Sequence, residues 1–308
     1  MSYHLGIVSG KGGVGKTSIT ASIACLLAEK GLPITTVDTD VDAPNLAILF
    51  QAKDNQVQEF KVQTTEKAIF IPDKCSHCKL CIDDAFCHFG ALKWDEDKLI
   101  PIIDSIACEG CGACKLFCPE KAFEVEPVDS GTINHLKSMY NFDVITGETI
   151  LGAQTSGKLV TELRKYADEI AKKESKDIMI IDGPPGIGCP VIAMLSGLNY
   201  VIVVIEPTTA ALHDADRVIT VVENFKIPFG IIINKSDMYL EGNKQIKEYL
   251  NENKIELLGE IPLDSKWPYS IAKGIPIVKD QPNGNSAKNL KIIADKIKHK
   301  ITLESSKI

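Results

Sequence analysis

Eight of the ten cysteines of this 308-residue chain fall between Cys75 and Cys118, and their spacing constrains the fold more than any other feature. They read Cys75-x2-Cys78-x2-Cys81, then Cys87, then Cys108-x2-Cys111-x2-Cys114-x3-Cys118-Pro119. The N-terminus has no basic region followed by an apolar stretch, and no apolar run reaches the ~18–20 residues needed to span a bilayer. A cytoplasmic chain without integral membrane association is therefore expected. In that compartment clustered cysteines serve metals more often than disulfides.

The run from Cys108 to Pro119 is the bacterial ferredoxin pattern. Three thiolates two residues apart wrap one corner of a cubane, and the Cys-Pro turn sends the fourth sulfur to the neighbouring cluster. The expected ligand sets are Cys75, Cys78, Cys81 and Cys118 for one [4Fe–4S] cluster, and Cys87, Cys108, Cys111 and Cys114 for the other. The first motif departs from the pattern: five residues separate Cys81 from Cys87, and His88 stands where a proline is expected. His77 and His88 are alternative ligands. The competing reading of the block is zinc, which usually takes four ligands as two C-x-x-C pairs. Of the two remaining cysteines, Cys25 lies in the apolar run SIACLLA and reads as packing. Cys189 precedes Pro190 at an expected helix start, where a thiol pKa can be lowered. It too reads as a small packing residue.

The cysteine block contains an internal repeat. The stretch Cys75 to Trp94 resembles Cys108 to Val125, and in both the last cysteine is followed four residues later by alanine, Ala91 or Ala122. On either side the pattern is α/β. Strands are expected at 5–8 and 34–37, with a helix from Lys16 to Glu29 between them that Gly31 and Pro33 terminate. Periodicity fades from about 51 to 70. Later come helical spacing at 157–172 and apolar strands at 178–181, 200–205, 229–233 and 257–261. Continuous apolar strands alternating with helices predict a parallel sheet covered on both faces. The fold class expected is α/β: a doubly wound, mostly parallel sheet with an inserted two-cluster ferredoxin-like α+β module. The domains expected are a discontinuous α/β domain, 1–69 and 128–308, and an inserted iron–sulfur domain, 70–127.

Gly10-Lys11-Gly12-Gly13-Val14-Gly15-Lys16-Thr17 fits G-x-x-x-x-G-K-T and lies between a strand and a helix, where the pattern belongs. Glycines let backbone N–H groups converge on phosphate oxygens, and the helix N-terminus adds partial positive charge. Gly10 to Ser18 would form the phosphate cradle, with Lys16 reaching the β- and γ-phosphates and Thr17 on Mg2+. Ile178 to Ile181 is an apolar strand ending in Asp182, which places a second carboxylate at the magnesium. The stiff Gly183-Pro184-Pro185-Gly186 turn follows.

Lys11, a second lysine within the loop, makes the sequence resemble the deviant Walker-A P-loop ATPases: the MinD and ParA types, nitrogenase iron protein and the Mrp-type iron–sulfur carriers. The resemblance is closest to MinD-superfamily ATPases with an inserted two-cluster ferredoxin domain. Such proteins are loosely labelled cobyrinic acid a,c-diamide synthase-like, but nothing here supports that amidation chemistry. The resemblance implies that Lys11 crosses a homodimer interface to a phosphate on the other subunit, so that ATP is sandwiched between two copies. It implies that Asp40 positions the attacking water and that Asp38 supports the magnesium shell; Asp42 offers a competing assignment. It gives base recognition to Asn234 and Lys235 on one side and to Pro262, Leu263 and Asp264 on the other. Asn234-Lys235-Ser236-Asp237 also has the N-K-x-D form found in GTPases, where the aspartate reads guanine, so GTP stays open.

Three functions compete at this level. One is an ATP-hydrolysing iron–sulfur protein whose clusters transfer electrons to a redox partner under nucleotide control. Another is an iron–sulfur cluster carrier acting on a client apoprotein. The third is a positioning or regulatory ATPase with redox-sensing clusters. Eight cysteines fully coordinate two cubanes, which favours the first. The net charge of −7 argues against a nucleic-acid surface, which needs clustered Lys and Arg. Leu290, Ile293, Ile297 and Ile301 share one helical face, read as a closing helix packed on the sheet.

Overall fold

The computed structural model describes residues 2–52, 56–83, 86–153 and 156–305. The first half of the chain supplies β1 (Tyr3–Ser9), α1 (Lys16–Glu29), β2 (Ile34–Asp38), α2 (Leu46–Leu49), β3 (Gln56–Val62), β4 (Thr65–Phe70), β5 (Leu92–Asp95), β6 (Ile100–Ile103), α3 (Ala113–Phe117), β7 (Phe123–Val128), β8 (Gly131–Lys137) and β9 (Asp143–Thr149). The second half supplies α4 (Ser156–Lys173), β10 (Ile178–Pro185), α5 (Cys189–Leu195), β11 (Tyr200–Ile205), α6 (Thr209–Asn224), β12 (Phe229–Asn234), α7 (Leu240–Glu252), β13 (Glu256–Ile261), α8 (Trp267–Ala272), α9 (Ile277–Asp280) and α10 (Asn285–Ser305).

Nine strands form one sheet in the order β13-β12-β11-β1-β10-β2-β9-β8-β3. From β13 to β9 every pairing is parallel; β8 and β3 extend that edge in antiparallel fashion. The alternation of the strands explains the double winding. Ile178, Ile180, Ile202 and Val204 join one core, which α1 and α10 cover. Met179, Ile181, Val201, Val203 and Ile205 point the other way into a core with α4, α6 and α7. Because both faces are apolar, the central strands read as unbroken hydrophobic runs. Leu290, Ile293, Ile297 and Ile301 are buried on α10, which packs against α1 and β13.

The edge was less visible from sequence. β3 was hidden in the stretch without periodicity because most of its side chains are exposed and it pairs only with β8. Between β3 and β8 the chain leaves the main sheet and forms two ribbons, β4 with β7 and β5 with β6. Thr65 pairs with Val128 and Phe70 with Phe123, so the ribbon opens five positions before the boundary expected at residue 70. The irregular Cys81–Cys87 spacing lies partly outside the described residues, at 84–85.

Candidate functional site

The loop from Gly10 to Gly15 leaves the C-terminal end of β1 and enters α1 directly. Gly15 has φ +94°, and a Cβ there would lie 2.5 Å from Asn234 Nδ2, so only glycine serves. That Asn234 Nδ2 donates to the Val14 carbonyl at 2.7 Å, which fastens the loop to the end of β12.

Beside the loop, four side chains from α1 and from the end of β2 converge on Asp182 of the core strand β10. Lys16, buried, places Nζ 3.3 Å from both carboxylate oxygens. Thr17 Oγ1 donates to Oδ2 at 2.6 Å, and Thr20 Oγ1 donates to Oδ1 at 2.8 Å. Thr39 donates both its N–H, at 2.9 Å, and its hydroxyl, at 2.6 Å, to the Asp182 carbonyl. The structure thus brings Lys16, Thr17 and Asp182 together. A lysine, a hydroxyl and a carboxylate at a helix N-terminus fit a magnesium–triphosphate group. Thr20 and Thr39 were not singled out from sequence. A polar residue one turn after Thr17, inside an otherwise apolar helix, was the available signal for Thr20.

Asp38 is fully buried, and its carboxylate accepts from the backbone N–H groups of Asp40 at 3.1 Å, Asn45 at 2.9 Å and Leu46 at 2.9 Å. Burial, with Asp182 nearby, pushes its pKa up to about 7. Its present bonds therefore anchor the loop after β2. Asp40 is partly exposed; burial, Asp182 and Asp42 raise its pKa, and Lys16 opposes them. Asp42 is exposed and accepts from Thr149 Oγ1 at 2.9 Å.

Lys11 turns back on its own subunit, 3.2 Å from Glu206, a buried residue after β11. Lys235 pairs with the same carboxylate and donates to the Gly13 carbonyl at 3.3 Å. Burial alone would raise the Glu206 pKa, but Lys235 and Lys11 hold it below the ordinary carboxylate range. Glu206 carried no motif, and only the fold reveals it.

Beside the loop opens a cavity of about 530 Å³, lined by Gly13, Gly15, Ser18, Asn234, Lys235, Pro262, Leu263, Asp264 and Trp267 among others. That volume suits a nucleoside-sized ligand. Asp237 Oδ1 accepts from the Leu263 N–H at 2.6 Å, so this carboxylate fastens the loop on the far side of the cavity. Asp264 accepts from the Lys266 N–H at 3.0 Å and from Ser286 Oγ at 3.1 Å.

The eight clustered cysteines line two further cavities. Cys75, Cys78, Cys81 and Cys118 line one; Cys87, Cys108, Cys111 and Cys114 line the other. Each cavity draws its fourth thiol from the opposite motif. The ribbons make this crossing possible. Gly110 has φ +63°, and a Cβ there would lie 2.1 Å from the Glu66 carbonyl oxygen, so the loop of Cys108 to Cys111 lies directly on β4. The repeat has a structural reason as well: Ala91 and Ala122 are buried, and their N–H groups donate at 3.4 Å to Cys87 Sγ and Cys118 Sγ. The Ala68 N–H reaches Cys108 Sγ and the His77 N–H reaches Cys75 Sγ, both at 3.4 Å.

Burial, then the neighbouring thiols Cys75, Cys78 and Cys118, push the Cys81 thiol up to about 11. Cys114 is raised in the same way, by burial and by Cys108 and Cys111. Such thiols ligate a metal centre only when deprotonated, so binding would release protons. A single tetrahedral zinc would hold its sulfurs about 3.8 Å apart, given Zn–S near 2.3 Å. Four cysteines line each of the two cavities, which is the ligand number of one cubane or of one zinc ion. His77 is exposed and its Nδ1 bonds the Leu99 carbonyl at 2.6 Å; neither His77 nor His88 lines either cavity. Cys25 is buried, and burial pushes its thiol up to about 12; Cys189 is exposed.

Elsewhere, His135, Asp143 and Glu174 bring three possible ligand atoms together. Lys137 Nζ already bridges Asp143 and Glu174 there, so the group reads as an ion-pair cluster. No helix among the described residues is long and apolar enough to cross a membrane.

Comparison with known proteins fits this geometry. Residues 5–277 match the family described as CobQ/CobB/MinD/ParA nucleotide binding domain. A Methanocaldococcus jannaschii protein, itself named only as uncharacterized, is 34% identical over 96% of both chains. The iron-sulfur cluster carrier protein of Pyrococcus abyssi is 25% identical over 97% of this chain and 86% of its own length. The septum site-determining protein MinD of Pyrococcus horikoshii, complexed with Mg-ADP, shares the fold with a TM-score of 0.59 at 20% identity, over 96% of each chain.

Proposed function

The chain belongs to the CobQ/CobB/MinD/ParA nucleotide-binding family, and from that premise we propose that it is an ATP-hydrolysing iron–sulfur protein whose two [4Fe–4S] clusters exchange electrons with a partner under nucleotide control. The observation that carries the redox half is the crossed lining of the two cavities, four thiols each, drawn from both cysteine motifs. Residues 1–69 and 128–308 would form the ATPase body, and the intervening segment a ferredoxin-like module.

In this reading Gly10 to Ser18 hold the phosphates, with Lys16 on the β- and γ-phosphates. Thr17 and Asp182 hold Mg2+, with Asp38 behind them through the loop it anchors. The metal supplies charge compensation for the transferred phosphoryl group, and Asp40 orients the attacking water. Asn234, Lys235, Pro262, Leu263 and Asp264 line the adenine cavity. ATP is favoured over GTP because Asp237, the residue that would read guanine, is already engaged by the Leu263 N–H. Lys11 serves a second copy of the chain in an ATP-dependent homodimer, after release from Glu206.

Coupling between nucleotide and clusters is energetically feasible. Moving a conformer from 1:99 to 99:1 takes about 5.5 kcal/mol of differential binding, within reach of several charge-assisted contacts to a γ-phosphate. The test is a redox titration with ADP and with a non-hydrolysable ATP analogue. A potential or partner affinity that differs between the two nucleotides is expected, and identical values with both overturn the coupling.

A second reading, an iron–sulfur cluster carrier, has its own supporting observation: Cys78 and Cys111 are exposed. Rapid transfer of the clusters to an apoprotein would favour that reading over electron transfer.

A further inference from the structure

The internal repeat relates the two cysteine-lined cavities, yet one carries a donor that the other lacks. Trp94 lines the cavity of Cys75, Cys78, Cys81 and Cys118, facing Pro101 across the β5–β6 ribbon. Its Nε1 is buried and has no hydrogen-bond partner among the described residues. An indole N–H can only donate, and a buried donor without an acceptor costs free energy. Lys79, which also lines this cavity, places Nζ 5.1 Å from the ring centroid, and Glu96 pairs with that ammonium at 2.9 Å.

In the repeat, Trp94 stands seven positions after Cys87, and Val125 stands seven positions after Cys118. Valine has no polar atom. The side chains lining the second cavity, apart from its cysteines, are apolar except for Glu109, which offers no donor when ionised. Backbone N–H groups reach two cysteine sulfurs at each cavity, so the asymmetry lies in the indole donor.

Resting on the iron–sulfur reading above, we propose that the Trp94 indole N–H donates a hydrogen bond to sulfur of the cluster held by Cys75, Cys78, Cys81 and Cys118, and thereby makes it the higher-potential cluster of the pair. Reduction adds negative charge that the cluster sulfurs share, so a donor stabilises the reduced form more than the oxidised form. The charges do not separate the two sites: Lys79 is neutralised by Glu96, and each cavity has one carboxylate in its lining, Glu120 in the first and Glu109 in the second. At equilibrium an electron delivered to the module then rests on this cluster, and the one held by Cys87, Cys108, Cys111 and Cys114 is the lower-potential site.

The experiment uses the whole chain, purified without oxygen, in an EPR-monitored redox titration. In Trp94→Phe, the reduction equilibrium constant of one couple is expected to fall by about tenfold, which is 59 mV for one electron, while the other stays put. Cys78→Ser should perturb that same couple, which assigns it. A second measurement needs no variant. The chain has two tryptophans, and the other, Trp267, lines the nucleotide cavity. Wild-type protein carrying 15N-indole tryptophan should show a 15N coupling on the higher-potential cluster signal by ENDOR. Two couples that both stay unmoved in Trp94→Phe, together with no 15N coupling, would overturn the proposal. A wild-type protein without two cluster couples would instead overturn the reading beneath it.

Discussion

β11 buries all six of its side chains, Tyr200 to Ile205, between β1 and β12 inside the sheet. Between residues 65 and 128, Phe123 is the one large apolar side chain fully buried among the described residues. The body holds itself together by covering a two-faced apolar sheet. The cysteine-bearing segment has two short ribbons and little core, and two thiol-lined cavities sit where its core would be. On the proposed function, a segment this poor in buried apolar surface would depend on what fills those cavities, much as small metal-binding domains depend on their metal for folding. If the proposed clusters fill the cavities, the contrast is between a fold fixed by hydrophobic burial and one fixed by ligation.

The contrast can be broken most severely by removing metal. Anaerobic chelation should abolish hydrogen-exchange protection across 65–128 while protection in β1, β10 and β11 persists; equal loss in both regions, or loss in neither, would erase the distinction. Next in size is a cavity in the body. Ile202→Ala, at a fully buried central position, should cost about 2–5 kcal/mol in denaturant unfolding while leaving the metal content per folded chain unchanged. Lys16→Ala comes third. Losing its charge-assisted contact should weaken ATP binding by about 10–100-fold, from roughly 1.5–3 kcal/mol, with bound iron again unchanged in calorimetry and metal analysis.

The smallest effect is a pH dependence confined to the body. Burial alone would raise the Asp143 pKa, but His135 and Lys137 hold it well below its ordinary 3.8. With the folded value depressed, the stability Asp143 contributes is present above about pH 4 and is lost as pH falls through the folded pKa. Acid unfolding of Asp143→Asn should therefore show a shallower loss of stability below pH 4 than the wild-type chain. An unchanged slope would remove Asp143 from the account.

What could be read in advance followed the same division. The central strands, α1 and the P-loop were legible because unbroken apolar runs, helix-stop residues and glycine spacing are local. The strand 178–181 ending in Asp182 already carried its carboxylate to the right end of the sheet. β3 escaped because an exposed edge strand, QVQEFKV, carries no buried pattern. Thr20, Thr39 and Glu206 escaped because their roles exist only once β10, β11 and the loop are adjacent. In the segment 65–128 the cysteine spacing was legible, while the unpaired Trp94 N–H was not, since an orphaned donor is a property of packing.

The central claim is that the thiol-lined cavities hold iron–sulfur clusters in an ATP-binding protein. The direct test is an iron, sulfide and zinc count on anaerobically purified chain that also binds Mg-ATP. The account predicts about eight irons and about eight sulfides per chain. A colourless protein with zinc, no iron and no sulfide would contradict it.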